Sequence, residues 1–245
     1  MTWNWQANFS FRRPNLVTVA IAAHQNEEKA PGSLLLQNVH NVWVMKVPLF
    51  PLDVVLFPGT PLPLHIFEER YKEMISECIS EKSSFGVVRA QREGLAVIGC
   101  MARIIRILHE YEDGRLDILC DGGDRFEIEQ LDNSRAFLQA EVDFFVDDGA
   151  ASTRQSREEC LALHFEVLEL AGVDHQPSHM DLDEPIAFQL AWALPADLGF
   201  KQQLLAIRSD SERTQMLCEF YKTMLPKLRI GAVANRVAAS NGHVM

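Results

Sequence analysis

The feature of this sequence that most restricts its fold is a proline-rich apolar stretch from Val47 to Tyr71, VPLFPLDVVLFPGTPLPLHIFEERY. Proline has no backbone N–H to donate, so a strand that contains proline must lie at a sheet edge or at a bulge. The prolines of this stretch are Pro48, Pro51, Pro58, Pro61 and Pro63. We therefore expect short edge strands here, with a turn at Pro58-Gly59.

After His65 the spacing of the apolar residues changes from alternation to the period of a helix. Such a helix would carry on one face Phe67, Tyr71, Met74 and Cys78. Glu68 and Glu69 would lie in its early turns, where the helix dipole favours negative charge; a catalytic carboxylate pair is the alternative interpretation. His65 lies at the switch, either as a core or junction residue or as the cap of a polar cavity.

Short apolar runs separated by turn residues follow, and they predict the further strands of a small barrel or sandwich. The run Met101–Leu108 contains Ile104-Ile105-Arg106-Ile107, and its apolar neighbours predict a strand that is covered on both sides. Asp113-Gly114 lies between two such runs and predicts a hairpin. Asp121-Gly122-Gly123-Asp124 predicts another turn rather than an acid–base pair. Residues 137–146 predict the last strand.

From Ser152 onward the apolar residues follow the helical period. Ser152 with Gln155, and Ser209 with Glu212, form capping-box patterns that mark the start of two helices. Gly172 is typical of the end of the first helix. Two further helices are predicted between these two, over residues 185–194 and 198–207.

The motifs of the proline-rich stretch are Pro48-Leu49-Phe50-Pro51-Leu52, Val55-Leu56-Phe57-Pro58-Gly59, Leu64, Ile66-Phe67-Glu68 and Arg70-Tyr71. In these motifs the chain resembles the N-terminal substrate-binding domain of the Lon protease family. A looser likeness extends over about residues 45–229, through Ile98-Gly99, Ala102-Arg103-Ile104, Gly114-Arg115-Leu116, Arg125-Phe126, Lys201–Leu205 and Glu212-Arg213. The resemblance implies an α+β fold in which a PUA-like β-barrel or sandwich is followed by an α-helical subdomain.

The predicted organisation along the chain has four parts. They are a poorly structured N-terminal extension over 1–44, a PUA-like β-domain over 45–148, a helical subdomain over 149–230 and a frayed tail over 231–245.

The net charge of −11 is concentrated in the strand-rich part of the chain. It divides into +1 for residues 1–44 (3 basic, 2 acidic), −9 for 45–148 (11 basic, 20 acidic) and −3 for 149–245 (9 basic, 12 acidic). Nonspecific nucleic-acid binding requires clustered lysine and arginine. An acidic sheet therefore argues against nucleic acid as a partner.

The five cysteines are scattered without a C-x-x-C pair: Cys78, Cys100, Cys120, Cys160 and Cys218. They predict small buried apolar side chains in a reducing cytoplasm, since an odd number does not fit a complete disulfide framework. No apolar run approaches the ~20 residues of a membrane-spanning helix, so we expect no membrane association.

Motifs for catalysis are missing from the sequence. None of the 13 glycines begins or completes a G-x4-G-K-[ST] phosphate loop, and no G-x-S-x-G pattern seats a nucleophile. A complete Lon protease has a nucleotide-binding motor and a Ser-Lys dyad, and the resemblance supplies neither here. We therefore expect no ATPase or protease domain, no cofactor and no enzymatic activity.

The best candidate for a metal site is a histidine pair with nearby carboxylates, formed by His175, His179, Asp174, Asp181 and Asp183. The H-x3-H spacing suits a metal if the segment is helical. Pro177 lies between the two histidines, however, and favours a solvated loop. We expect no metal.

Three phenylalanines of the proline-rich stretch, Phe50, Phe57 and Phe67, either line a groove for extended polypeptide or fill the barrel. With the resemblance and the missing motifs, they lead to the hypothesis of a non-catalytic module that binds unfolded or exposed apolar polypeptide. It would deliver this polypeptide to a separate protease or modulate one. A PUA-like RNA-binding module is the alternative, and an enzyme that uses His65 or the His175 loop is a third possibility. Contact residues and oligomeric state are not predicted.

Overall fold

The computed structural model describes residues 45–173 and 180–241, with side chains up to residue 231. The predicted extension over 1–44 and both His175 and His179 lie outside the described residues. The strands are β1 (Met45–Leu52), β2 (Pro61–Ile66), β3 (Phe85–Gln91), β4 (Gly94–Leu95), β5 (Ile98–Glu110), β6 (Leu116–Asp132) and β7 (Gln139–Phe145). The helices are α1 (Glu69–Glu81), α2 (Arg154–Leu170), α3 (Ala187–Ala193), α4 (Leu198–Ala206) and α5 (Asp210–Asn241).

Five of the strands close into a barrel in the order β1-β7-β6-β5-β3, because β1 pairs with β3 as well as with β7. Strand β2 lies outside this ring and pairs with the first part of β6, while β4 pairs with β3. Four of the five helices follow the last strand. This architecture confirms the predicted α+β fold of a β-barrel followed by helices.

The prolines lie where a missing N–H is tolerated. Strand β1 pairs with β7 through Met45–Pro48 and with β3 through Leu49–Leu52, so among the described strands each half pairs on one side. Pro61 and Pro63 belong to β2, which pairs only with β6 among the described strands. The prediction of an edge strand is therefore confirmed for β2, whereas β1 is a barrel strand whose two halves pair with different neighbours.

The second predicted turn, at residues 121–124, is wrong, because β6 continues through these residues. A Cβ atom on Gly122 would lie 2.0 Å from the carbonyl oxygen of Phe57. The Gly59 N–H donates to the Gly122 carbonyl at 2.8 Å, and the Gly122 N–H donates to the Thr60 carbonyl at 3.0 Å. Glycine is needed at 122 for this close approach of two backbones rather than for a turn.

The other turn predictions agree with the structure. Gly59 has φ +68° in the turn after Pro58, and Gly114 has φ +79° in the hairpin between β5 and β6. Gly172, with φ +66°, follows the end of α2. Glycine reaches these left-handed conformations without the steric cost of a Cβ atom.

The start of α2 differs from the prediction. Thr153, not Ser152, is the N-cap, and its hydroxyl accepts a hydrogen bond from the Ser156 N–H at 3.1 Å. Ser152 is buried instead, and its hydroxyl accepts from Arg157 Nε at 3.0 Å and donates to the Asp210 carboxylate. A tertiary contact therefore uses the hydroxyl that the sequence pattern assigns to the cap. Helix α5 begins next to Ser209 as predicted and continues to Asn241.

The main hydrophobic core is shared by the barrel and the helices. Its buried members include Phe57 and Ile118 from the sheet side and Leu190 and Tyr221 from the helices. The rings of Phe57 and Phe188 stack with centroids 5.6 Å apart. The barrel and helices are thus packed around common apolar side chains.

A buried ionic network joins the end of the barrel to α5. Arg125 of β6 and Arg213 of α5 both pair with the carboxylate of Asp147, and the guanidinium of Arg213 lies 3.9 Å from the ring centre of Phe188. Arg125 also donates to the Leu205 carbonyl at 2.9 Å. Burial raises the pKa of Asp147, but the two guanidinium groups outweigh burial and hold the pKa below its usual value.

Candidate functional site

Strand β5 extends beyond its partner β3 and leaves one edge open. Strand β3 begins at Phe85, opposite Ala102, so β5 has no partner on this side from Arg103 to Glu110 among the described strands. We call this segment the β5 edge. Its apolar side chains are partly exposed: Ile105 by 44%, Ile107 by 43% and Leu108 by 41%. The prediction that Met101–Leu108 forms a strand covered on both sides is therefore wrong for residues 103–108. Strand β3 pairs with β5 only as far as Ala102 and leaves the rest of the strand largely exposed.

Next to the β5 edge, three neighbouring strands bring together a polar and aromatic group that we call the His65 cluster. Asp117 of β6 lies opposite His65 of β2 on one side and His109 of β5 on the other. His65 Nδ1 is 2.6 Å from Asp117 Oδ1, and the Tyr111 hydroxyl donates to Asp117 Oδ2 at 2.8 Å. The rings of His109 and Tyr111 meet edge to face at 4.3 Å between centroids.

Hydrogen bonds within the His65 cluster keep Asp117 in its charged form. The bond to His65 lowers the pKa of Asp117, and the Tyr111 hydroxyl lowers it further, although burial partly opposes both. The hydrogen bond between the Tyr111 hydroxyl and Asp117 also raises the pKa of Tyr111, because the carboxylate holds the phenolic proton. Asp117 is therefore a carboxylate at neutral pH that orients His65 and Tyr111.

A His–Asp pair of this kind orients an imidazole in hydrolases that also hold a nucleophile. Here no serine, threonine or cysteine of the described residues is hydrogen-bonded to His65. The cluster has the geometry of a polar platform at the sheet surface rather than that of a nucleophilic site.

The three phenylalanines that the sequence leaves open have different environments. Phe50 and Phe57 are 6% and 0% exposed and belong to the main core, whereas Phe67 is 59% exposed. Phe67 precedes α1 and does not share its buried face, which corrects the sequence prediction. Its ring stacks beside His65 at 5.9 Å between centroids. Phe67 thus extends the His65 cluster with exposed apolar surface.

The acidic candidates have structural partners. Arg70 Nε donates to Glu68 at 2.9 Å and Lys72 Nζ to Glu69 at 2.8 Å, as expected for charges at the start of α1. Asp121 lies on β6, 3.4 Å from Arg103, and burial raises its pKa. The contacts of Glu68 and Glu69 agree with their interpretation as charges at the start of a helix, whereas Asp121 lies on a strand and not in the predicted turn.

The predicted loop carboxylates are also engaged. Asp183 pairs with Arg154, and its N–H donates to Asp181 Oδ1 at 2.9 Å. In the part of the chain that the structure describes, no group of three or more histidine, cysteine or acidic side chains could hold a metal ion.

All five cysteines are buried with free thiols, as expected for small apolar side chains. Burial raises the pKa of Cys120 to about 12 and that of Cys100 further. Because the thiolate is the nucleophile, a raised pKa makes the thiols of Cys100 and Cys120 poor nucleophiles in the folded protein.

The residues that sequence reasoning missed are His109, Tyr111 and Asp117 of the His65 cluster, together with the β5 edge. Their signal in the sequence is weak, since His109 and Tyr111 only flank a predicted hairpin. The pairing of β2 with β6 brings His65 to Asp117 across 52 residues. The largely apolar run at 104–108 does predict a strand, but the sequence does not show that the side chains of this strand are exposed.

A closed barrel followed by helices places the chain in the α+β class. Residues 46–223 match the family described as the ATP-dependent protease La (LON) substrate-binding domain. The match covers most of the chain, and the protein therefore belongs to this family. Among residues 45–173 and 180–241, no helix is long and apolar enough to cross a membrane.

Curated proteins that the chain matches include Lon proteases. The chain is 27% identical over 190 residues to Lon protease of Parabacteroides distasonis, which covers 70% of this chain and 23% of the relative. It is 30% identical over 205 residues to Lon protease of Roseiflexus castenholzii, covering 77% and 25%. The chain thus spans about a quarter of the length of these curated relatives.

Solved structures give the same result for the fold. The Lon N-terminal domain protein of Xanthomonas campestris matches with a TM-score of 0.58 at 26% identity, over 71% of this chain and 97% of that one. The N-terminal domain of the Mycobacterium avium complex Lon protease matches with a TM-score of 0.54 at 17% identity, over 73% and 98%. The second likeness shows the fold alone.

Proposed function

We propose that this chain is a polypeptide-recognition module that binds exposed apolar segments and performs no catalysis itself. Membership of a family of substrate-binding domains supports this function. The observation that carries it is the exposed surface formed by Phe67, the His65 cluster and the β5 edge, where apolar side chains lie open beside unpaired backbone. Backbone groups and apolar pockets are what extended polypeptides bind.

The chemistry of the site supports a role without catalysis. Within the His65 cluster, Asp117 is hydrogen-bonded to His65 and Tyr111, and the five thiols are buried. We propose that bound polypeptide passes to a protease active site on another chain or domain, with the present chain supplying recognition only.

The test is fluorescence anisotropy with the full chain and two labelled probes, an unfolded polypeptide and an RNA of similar size. We expect saturable binding of the polypeptide with weak dependence on salt, because apolar contacts dominate. Binding of RNA alone, with a steep salt dependence, would instead support the PUA-like RNA-binding alternative.

A variant locates the polypeptide site. Phe67→Ala should weaken polypeptide binding by about 3- to 10-fold, since truncating an aromatic contact residue costs on the order of 1 kcal/mol. The matched control is Val146→Ala, which removes an apolar side chain that is 79% exposed at the end of β7. Equal loss in both variants would contradict a site at Phe67.

A further inference from the structure

We propose that the β5 edge, Arg103–Glu110, binds an extended polypeptide segment that carries acidic and apolar residues, by adding it to the sheet as a further strand. This inference rests on the proposed function and names the part of the surface and the class of segment. Strand addition satisfies backbone donors and acceptors that are otherwise left to water, and side chains at alternate positions select the partner.

The backbone of the β5 edge is open to a partner. No proline occurs between Arg103 and Glu110, so every residue of the edge keeps its N–H group. The exposed strand β2 is different, because Pro61 and Pro63 remove two donors from it. Proteins commonly protect sheet edges with proline. Addition of a further strand is therefore disfavoured at β2, where two N–H groups are missing, and remains possible at the β5 edge, where none is missing.

The side chains of the β5 edge set the chemistry of the partner. Ile105, Ile107 and Leu108 offer apolar contacts. Arg103 has only a 3.4 Å contact with Asp121, and Arg106 has no ion pair or hydrogen bond with the described residues. The β5 edge thus carries two arginines against one acidic residue, Glu110, and is locally basic within a region of net charge −9. Acidic residues facing them across the new strand pair would be stabilised, and basic residues would be repelled.

The irregularities of β5 limit how much chain is bound. The register against β6 shifts between Ile104 and Arg106 and again between Ile107 and His109. Bulges of this kind bend a strand and increase its twist. A twisted edge accepts a short segment but cannot extend into a flat fibril, which suits reversible binding of many different polypeptides.

The experiment uses the full chain and three labelled probes. The first is a short unstructured peptide that alternates aspartate with leucine or valine. The second has lysine in place of aspartate, and the third is the acidic peptide with N-methyl groups on alternate amides, which cannot pair as a strand. We expect the acidic peptide to bind at least about fivefold more tightly than either of the other two peptides. The lysine peptide replaces favourable charge pairs by repulsion, and the N-methylated peptide loses backbone hydrogen bonds.

The charge is tested with Arg106→Glu, which should reverse the preference between the acidic and lysine peptides. The control is Arg92→Glu, which makes the same charge change at an exposed arginine in the turn between β3 and β4 and should leave the preference within about twofold. Circular dichroism confirms that both variants are folded.

Three results would overturn the inference. They are equal binding of the N-methylated peptide, an unchanged preference in Arg106→Glu, or a dimer that Arg106→Glu dissociates, since the β5 edge would then be occupied by a second copy of the chain. Failure of all peptides with retained binding of unfolded polypeptide also rejects the β5 edge but leaves the proposed function intact. Failure of both peptides and unfolded polypeptide rejects both proposals.

Discussion

At the scale of single residues, burial depends on neighbours that the sequence does not list. Phe50, Phe57 and Phe67 stand in similar apolar motifs, yet only Phe67 is exposed. Phe50 stacks on Tyr71 with centroids 4.1 Å apart, and Phe57 packs against Phe188 of a helix that is distant in sequence. Phe67 lies just before α1 and outside its buried face, so its side chain stays exposed.

Gly122 gives a prediction at this scale. Gly122→Ala should lower the free energy of unfolding by about 1–3 kcal/mol, because the new Cβ would lie 2.0 Å from the Phe57 carbonyl oxygen and the backbones would have to separate. Urea denaturation followed by circular dichroism measures the change.

Gly123→Ala is the control for that measurement. Its Cβ would lie 3.5 Å from the Cβ of Met101, an ordinary contact, so we expect no loss of stability. It could gain up to about 0.5 kcal/mol, because glycine weakens a strand interior. A loss of equal size in both variants would contradict the close approach at Gly122 as the cause of the loss.

At the scale of elements, local patterns located the helices well but misassigned the cap of α2. Ser152 and Thr153 are adjacent hydroxyl residues, and either could serve as the N-cap by sequence alone. The structure assigns the cap to Thr153 because the Ser152 hydroxyl is held by Arg157 and Asp210. The partner Asp210 lies 58 residues away, at the start of α5.

These two hydroxyls should differ in their effect on stability. Thr153→Ala should cost about 1 kcal/mol, the usual effect of losing an N-cap. Ser152→Ala should cost more, about 1–3 kcal/mol, because it leaves buried groups of Arg157 and Asp210 without this partner. Thermal and urea unfolding of both variants give the comparison, and a larger loss in Thr153→Ala would contradict the assignment.

At the scale of the whole molecule, the barrel and the helices are connected at the predicted boundary near residues 148 and 149. The Asp148 N–H donates to the Arg208 carbonyl at 2.7 Å, and Asp147 holds Arg125 and Arg213 together. Arg213 is almost completely buried, so its charge depends on its carboxylate partners, Asp147 and, at 3.5 Å, Asp210. We expect the two parts to unfold together rather than as separate domains.

Asp147→Asn tests this connection. It leaves the buried Arg125 without its counter-charge and leaves Arg213 with only the Asp210 carboxylate, 3.5 Å away, and should cost about 3–5 kcal/mol near neutral pH. The folded pKa of Asp147 is depressed, so its stabilisation is complete above the unfolded value of about 3.9 and is lost as the pH falls through the folded pKa. The variant should therefore lose less stability than the parent protein on acidification.

Asp148→Asn provides the comparison, since the Asp148 carboxylate makes no ion pair with the described residues. Its unfolding free energy should stay within about 0.5 kcal/mol of the parent at neutral pH. Parallel acid profiles for the parent and Asp147→Asn would contradict a stabilising role of the carboxylate.

The sequence by itself determined the edge strand β2, the β5–β6 hairpin, the approximate helix positions and the buried cysteines. These follow from local chemistry: proline lacks a donor, glycine permits positive φ, and apolar residues repeat with the period of their element. Tertiary structure alone decided that the backbone of residues 57–60 lies against Gly122, that Asp117 joins His65 to Tyr111, and that β5 has an open edge. These features depend on which strands meet and where a partner strand begins, and contacts between residues distant in sequence decide both.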